Sequence, residues 1–558
     1  MVNIIVNNVV SRIDGKLPAY VQERIHEAVS YQVVGAEHSQ YGKEIYCPKC
    51  RKLTREATTT DLYLPDYPES GIKGYRKCLV HGWVKPIQLW DGQRCLYEGR
   101  AQTFPTGVIS RIVEVLKSNN IQFTITDNRI VPVTRELPWK GLTPRFYQQN
   151  AVRAIKKRTR GIIHAATGTG KTLCISWLIK QLGVNTLILT HTKSVFNQVT
   201  KSIADSLGVP VGQIGDGICD IHNFTVSMPQ SLTETVTVKK PRLVKGVWKD
   251  VNVKEQRIRP ALIPFLNSIE MLIVDEAHHL SASTCQLIAN NCPNAYYRMG
   301  VSATPWRDDL LDILIEAVTG RTAYLYTATQ AIEAGYLARP NIHLVKFNLG
   351  RQPTQGMRKV VKKVGRGKNA TMTVVQEFGK LTYADLYDSC IVNNDRRNIL
   401  IERIALKEYA QGKSVLIIVK MIKHGENLLE RLKDLKNSDG TPDVRFVNGN
   451  DNPEYLQQTL NELDQKKFHI CIATGIFSEG VDIRRLDVVI NTTASDSSVN
   501  AMQTVGRALR KVPGKEVVDI YDISDYGARW FTSHSSNRKL IYETEPGYII
   551  TEEDSSEY

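Results

Sequence analysis

Two glycines, a lysine and a hydroxyl stand close together in Ala166-Thr167-Gly168-Thr169-Gly170-Lys171-Thr172. An apolar run, Gly161-Ile162-Ile163-His164-Ala165, precedes them, and a helical pattern from Leu173 to Leu182 follows. Strand, glycine loop and helix in that order make a phosphate-binding loop: the glycines let successive N–H groups turn toward phosphate oxygens, and the helix points its positive end at them. Lys171 is then expected to reach the β and γ phosphates of a nucleotide, with the Thr172 hydroxyl on Mg2+. A second reactive pair follows at Asp275-Glu276, where the apolar strand Met271-Leu272-Ile273-Val274 ends. Asp275 is placed to hold Mg2+, and Glu276 to orient and deprotonate an attacking water. Upstream, Arg145-Phe146-Tyr147-Gln148 opens a helix, and a Gln amide can pair with the donor and acceptor of an adenine edge.

Further polar residues stand where strands end, which is where open parallel sheets bind ligands. Thr190 and Lys193 follow the strand Thr186-Leu187-Ile188-Leu189, and Gln230 follows Thr225-Val226-Ser227. These could hold a phosphate backbone. Near the front, Cys47-Pro48-Lys49-Cys50 and Cys78-Leu79-Val80-His81 form two knuckle-like pairs with ligands three apart, the supply a tetrahedral Zn2+ takes from two turns. The fourth ligand is His81 or, alternatively, Cys95.

The elements that carry these residues must come from a chain of 558 residues, long enough for three or four domains. Hydrophobic residues make up 42% and charged ones 23%, which allows sizeable cores and excludes wholesale disorder. A net charge of +15 favours a polyanionic partner. The sequence shows no membrane span or signal peptide, and the patch Ile4 to Val10 reads as an opening strand. Of ten cysteines, Cys47, Cys50, Cys78 and Cys95 cluster and the others are scattered, a reduced, cytoplasmic usage. Apolar residues from Val108 to Leu116 recur at helical spacing. Pro132, Pro138, Gly141 and Pro144 punctuate a linker, so a new domain starts near Gly141.

In the second half, Ser414 to Val419 reads as a buried parallel strand and Val447-Asn448-Gly449 as a strand end. Arg507 and Arg510 lie one helical turn apart in Gln503-Thr504-Val505-Gly506-Arg507-Ala508-Leu509-Arg510, so both guanidinium groups can lean into one cleft against a γ-phosphate. Basic stretches at Lys239 to Arg259 and Arg351 to Lys368 read as a solvated loop and as a hairpin-like insertion near the nucleic-acid track. The run Glu552 to Glu557 reads as a disordered acidic tail.

Gln148, Gly168 to Thr172, Asp275-Glu276-Ala277-His278 and Ser302-Ala303-Thr304 match, in order and spacing, the first-domain motifs of superfamily 2 helicases. Ile470 to Asp482 and Gln503 to Arg510 resemble that family's fifth and sixth motifs, and the resemblance covers about residues 141 to 535. The His278-His279 pair and the string Arg298 to Arg307 look closest to the xeroderma pigmentosum group B type and to phage branch-migration helicases. Phe104 to Leu116 resembles a segment ahead of the motor in the phage-like group.

The resemblance implies an α/β fold of two tandem RecA-like domains with parallel sheets, at 141–338 and 339–535. They are preceded by a smaller N-terminal α+β region, 1–140, with the zinc module at about 40–95, and followed by the acidic tail, 536–558. It implies an ATP- and Mg2+-dependent enzyme in which Arg145, Gln148 and the phosphate loop bind the nucleotide, Asp482 contacts the ribose, and Gln503, Arg507 and Arg510 close the site. Thr190, Lys193, Gln230 and Thr474 are expected on the nucleic-acid backbone, and His278, Ser302 and Thr304 between hydrolysis and movement. Movement 3′ to 5′ on single-stranded, forked or branched DNA is the implied activity; a monomer is favoured, and a cytoplasmic location is expected from the missing signals alone. An RNA substrate, or a non-unwinding motor subunit of a larger assembly, remains open.

Overall fold

A computed structural model of the chain describes residues 1–32, 45–46, 76–78, 82–84, 87–88, 93–244, 247–281, 283–304, 312–352, 355–364, 371–474, 483, 485–496, 506 and 508–558. Cys47, Cys50 and His81 lie outside the described residues, as do Asp482, Gln503 and Arg507. Cys78 is described through its backbone alone, at the end of the short strand Arg76–Cys78, which pairs with Gly82–Val84. The Cys95 thiol is engaged locally, donating to the carbonyl of His26 at 3.7 Å and accepting from the N–H of Tyr97 at 3.3 Å. Among the described residues no helix is long and apolar enough to cross a membrane.

The chain divides into two units. One holds Met1–Arg129 together with Asp309–Gly320. Its four-stranded sheet runs in the order Phe123–Asp127, Val2–Val6, Val10–Asp14, Thr103–Pro105. The opening strand expected from Ile4 onward is therefore two strands, because Asn7 and Asn8 fall where the chain turns back. The helical spacing of the next apolar run gives helix Ile109–Ser118, whose Ile112 and Leu116 are buried against Val21, Ile25 and Phe104.

A helix distant in sequence completes this core. Asp312–Thr319 contributes Ile313 and Ala317 to it, and Glu316 pairs with Arg111 at 2.7 Å. Gly107 is the point of closest approach: a Cβ there would stand 1.9 Å from the Glu316 carbonyl oxygen and 2.5 Å from that of Ala317. The contact is with backbone, so nothing can rotate away. Gly107→Ala is expected to destabilise this unit by about 3 kcal/mol, at the upper end of overpacking costs, measured as a lowered urea midpoint of the N-terminal transition.

The other unit, Ile130–Asp308 with Arg321–Tyr558, is built on two sheets. Its first boundary precedes the expected one near Gly141, because the proline-punctuated stretch hydrogen-bonds to the motor: Arg135 N–H donates to Leu182 O and Leu137 N–H to Lys180 O, both at 2.9 Å. The first lobe's eight-stranded sheet has the order Ile218–Asp220, Gly212–Gly215, Phe224–Ser227, Thr186–Leu189, Met271–Asp275, Tyr297–Ser302, Arg160–Ala165, Thr322–Tyr326, parallel except at the first hairpin. Strands buried on both faces explain the continuous apolar runs. The second lobe's seven strands are all parallel: Val444–Val447, Ile470–Ala473, Val415–Ile418, Val488–Asn491, Val517–Tyr526, Arg339–Asn348, Ile549–Asp554.

That last strand corrects the reading of a disordered tail. Ile549–Asp554 pairs along Arg339–Asn348, with Glu552 bound to Lys346 at 2.5 Å and Lys539 at 2.6 Å, and Glu553 to His343 at 2.5 Å. Basic partners from distant parts of the chain turn an acidic run into a sheet edge. Residues 529–542, which span the expected domain end at 535, form one helix.

The basic stretches are both two-stranded antiparallel ribbons, Thr233–Val244 with Val247–Ile258 and Gln355–Val364 with Thr371–Lys380. The second matches the hairpin-like expectation, and the first replaces the expected solvated loop. Inside the second lobe, Arg397 and Asp525 form a fully buried bidentate pair at 2.8 and 2.9 Å. Asp525→Ala leaves a guanidinium without its counter-charge in the core, and should cost about 3–5 kcal/mol by chemical denaturation.

Candidate active site

Strand Arg160–Ala165 delivers the glycine loop to the carboxyl edge of the first sheet, and helix Lys171–Leu182 leaves it. Gly168 and Gly170 have φ of 85° and 77°, the left-handed backbone that turns N–H groups inward. The loop is braced from below. The Tyr147 hydroxyl donates to Thr169 O at 2.6 Å, and Thr169 Oγ1 donates to Ala166 O at 2.6 Å. Gln148 Nε2 donates to Thr169 O at 3.0 Å and Gly170 O at 3.4 Å, while its Oε1 accepts the Arg145 N–H at 2.8 Å. Only 2% exposed, the Gln148 amide braces the loop and the start of its own helix at once. Arg145 lies beside it with its guanidinium 4.2 Å over the Tyr336 ring.

Asp275 ends its strand and Glu276 takes φ of 49°, uncommon for a residue with a side chain and costing about 1–3 kcal/mol. The turn aims the Glu276 carboxylate at the loop. Its Oε1 lies 3.9 Å from Lys171 Nζ, its Oε2 accepts from Ser302 Oγ at 3.3 Å, and His278 Nδ1 is 3.6 Å away. Ser302 Oγ in turn lies 3.3 Å from His278 Nδ1 and accepts the Thr304 N–H at 3.1 Å. Ser302, Thr304 and His278 are buried, so the string with least meaning in the sequence packs beside the Glu276 carboxylate.

Two histidines missed from sequence complete this region. His164, on the strand that ends in the phosphate loop, donates from Nε2 to Ala303 O at 3.0 Å; burial holds its pKa below the usual value, so it is neutral at pH 7. The His191 ring lies against that of His279 at 3.9 Å, and His279 against His278 at 4.2 Å, the pairs tilted by 32° and 39°, joining the strand end that bears Thr190 to the acidic turn. The His278-His279 pair signalled the second contact; His164 and His191, far off in the chain, had no local signal.

The second lobe meets the loop through Gly506 and Arg510. A Cβ at Gly506 would stand 2.5 Å from Thr167 Cβ, and one at Gly168 would stand 3.4 Å from Arg510 Cγ. Ala338 N–H donates to Leu509 O at 2.7 Å, fixing the register of this contact. The candidate backbone contacts divide. Lys193, 2.8 Å from Asp216, and Gln230 are exposed, whereas Thr190 and Thr474 are buried.

A glycine loop, a strand-end acid pair and an arginine from a second parallel-sheet lobe define a nucleotide-hydrolysing motor. Residues 141–307 match the family described as Type III restriction enzyme, res subunit, and residues 395–512 match the Helicase conserved C-terminal domain. The DNA 3'-5' translocase XPB2 of Sulfurisphaera tokodaii is 24% identical over 385 residues, 66% of this chain and 78% of that protein. The ATP-dependent DNA helicase uvsW of Enterobacteria phage T4 is 22% identical over 413 residues, 72% of each chain. Putative helicase 22 of Sulfolobus islandicus filamentous virus is 21% identical, over 75% of this chain and 70% of its own. The chain belongs to the superfamily 2 helicases, related to the XPB-like and phage members, and is an ATP-hydrolysing enzyme.

Proposed function

We propose that this enzyme couples ATP hydrolysis to 3′ to 5′ movement along DNA and remodels forked or branched DNA. The Glu276 carboxylate, held between Lys171 and the Ser302–His278 pair, is the observation that carries this reading. Glu276 takes the proton of the attacking water, Lys171 holds the β and γ phosphates, and Arg510 meets the charge that builds as the γ-phosphoryl group leaves. The Thr172 hydroxyl and the Asp275 carboxylate are hard oxygen donors that suit Mg2+, which would neutralise phosphate charge when bound. Asp482, Gln503 and Arg507 would complete the site from the second lobe.

Ser302 touches both Glu276 and the Thr304 backbone, so a change at the γ-phosphate reaches the strand end directly. Closing and opening of the two lobes then advances one strand past exposed Lys193 and Gln230. The XPB2 and uvsW proteins, named for DNA, support that substrate. Strand displacement on duplexes with either a 3′ or a 5′ single-stranded tail tests the proposal: release from the 3′-tailed duplex alone supports it, and release from the 5′-tailed duplex alone would refute the polarity.

Cys47, Cys50, Cys78 and His81 are proposed as a structural zinc module. The full chain should hold one equivalent of zinc, lost in Cys47→Ser/Cys50→Ser; a wild-type chain purified without zinc and folding normally would remove the module.

A further inference from the structure

The ribbon Thr233–Ile258 lies outside the motor motifs, yet it is rooted in them. Its first strand starts directly after helix Pro229–Leu232, which carries Gln230. Thr233 and Ile258 are buried at its foot, where Arg259 N–H donates to Leu232 O at 3.0 Å. Thr284, in the helix after the acidic turn, donates to Gln256 Oε1 at 2.6 Å and ties the foot to that side as well. From this base two 12-residue strands extend about 40 Å as a sheet of their own.

Side chains alternate between the two faces of a ribbon, and these faces differ in chemistry. One carries half-buried Val236, Val238, Val251 and Val253, with the Glu234–Arg257 pair at 2.8 Å. The other presents three exposed rows: Thr235 opposite Gln256, Thr237 opposite Lys254, and Lys239 opposite Asn252. Hydroxyls, amides and ammonium groups fill those rows, and Asp250 is the first acid beyond them.

We propose that this face binds the phosphate backbone of duplex DNA beside the strand held by the motor, an inference that rests on the DNA reading above. Hydroxyl, amide and lysine groups are the side chains that contact phosphates and set register on a duplex. Single-strand sites stack bases on aromatic rings, and the three rows contain none. A two-stranded ribbon also fits the major groove of B-form DNA. Anchorage to both Gln230 and the helix after the acidic turn places the duplex contact next to elements that respond to hydrolysis.

The test is the double variant Lys239→Ala/Lys254→Ala in the full chain, with Lys239→Arg/Lys254→Arg as the charge-preserving control. Dissociation constants are measured over a salt series for a 3′-tailed DNA duplex and for the tail strand alone, alongside ATPase activity without nucleic acid. Loss of two phosphate contacts should flatten the slope of log affinity against log salt by about 2 for the tailed duplex and weaken it about tenfold or more at low salt. Affinity for the tail strand and unstimulated ATPase should stay unchanged, and the arginine variant should bind as wild type. An unaltered slope and affinity for the tailed duplex, or an equal loss on the tail strand alone, would overturn the ribbon proposal while leaving the motor reading in place. A wild-type protein that binds no DNA would instead overturn the DNA reading, and the ribbon proposal with it.

Discussion

Arg510→Ala is expected to lower ATP turnover by about 10³- to 10⁵-fold, the range in which an arginine finger acts on phosphoryl transfer. The second lobe holds the Arg510 Cγ 3.4 Å from where a Cβ on Gly168 would stand, beside the glycine whose positive φ opens the phosphate loop. The arginine fork spreads charge over two phosphate oxygens, which an ammonium cannot reproduce. Arg510→Lys should therefore recover little of the lost rate. Both variants should retain nucleotide affinity to within about tenfold, since Lys171 and the loop N–H groups belong to the first lobe. Single-turnover hydrolysis with nucleotide binding measured in parallel separates the two effects. A turnover loss below tenfold would remove Arg510 from the transition state.

Glu276→Gln should abolish turnover by about 10² to 10⁴-fold with ATP binding kept, because the amide preserves shape and the contact with Ser302 but cannot take a proton. Two further effects follow from its surroundings. Lys171 loses the carboxylate 3.9 Å away, so nucleotide affinity should rise slightly if it changes at all. The strained φ of 49° is unchanged, so folding stability should stay near wild type. Steady-state hydrolysis and equilibrium ATP binding check both. Near-normal hydrolysis would leave Glu276 with no role as the base.

The parts of this site that were legible in the sequence are those whose chemistry is local. A glycine loop between a buried strand and a helix reads from its own residues, and so does an acid pair that ends an apolar strand. The parallel sheets follow from apolar runs buried on both faces. What was not legible depends on partners far along the chain. Gln148 has the type and position for an adenine contact, but its bonds to the Thr169 and Gly170 carbonyls had no signal in the sequence. Thr190 and Thr474 stand at strand ends, but neighbouring elements cover them. The acidic Glu552 to Asp554 gains order from Lys346, Lys539 and His343. Helix Asp312–Thr319 sits between two strands of the first lobe in sequence and completes the core of the N-terminal unit, an exchange that local periodicity does not encode. The zinc pairs Cys47–Cys50 and Cys78–His81 lie at or beyond the edge of the described residues.

If ATP hydrolysis at this site drives the protein on DNA, steady-state ATPase activity must respond to the nucleic acid supplied. Single-stranded DNA, duplex DNA, a branched DNA junction and RNA are compared at one fixed salt concentration, because backbone-driven affinity falls steeply with salt. Stimulation by DNA, greatest with the branched junction, is the expected result. Stimulation by RNA alone would contradict it and leave the motor with a different track.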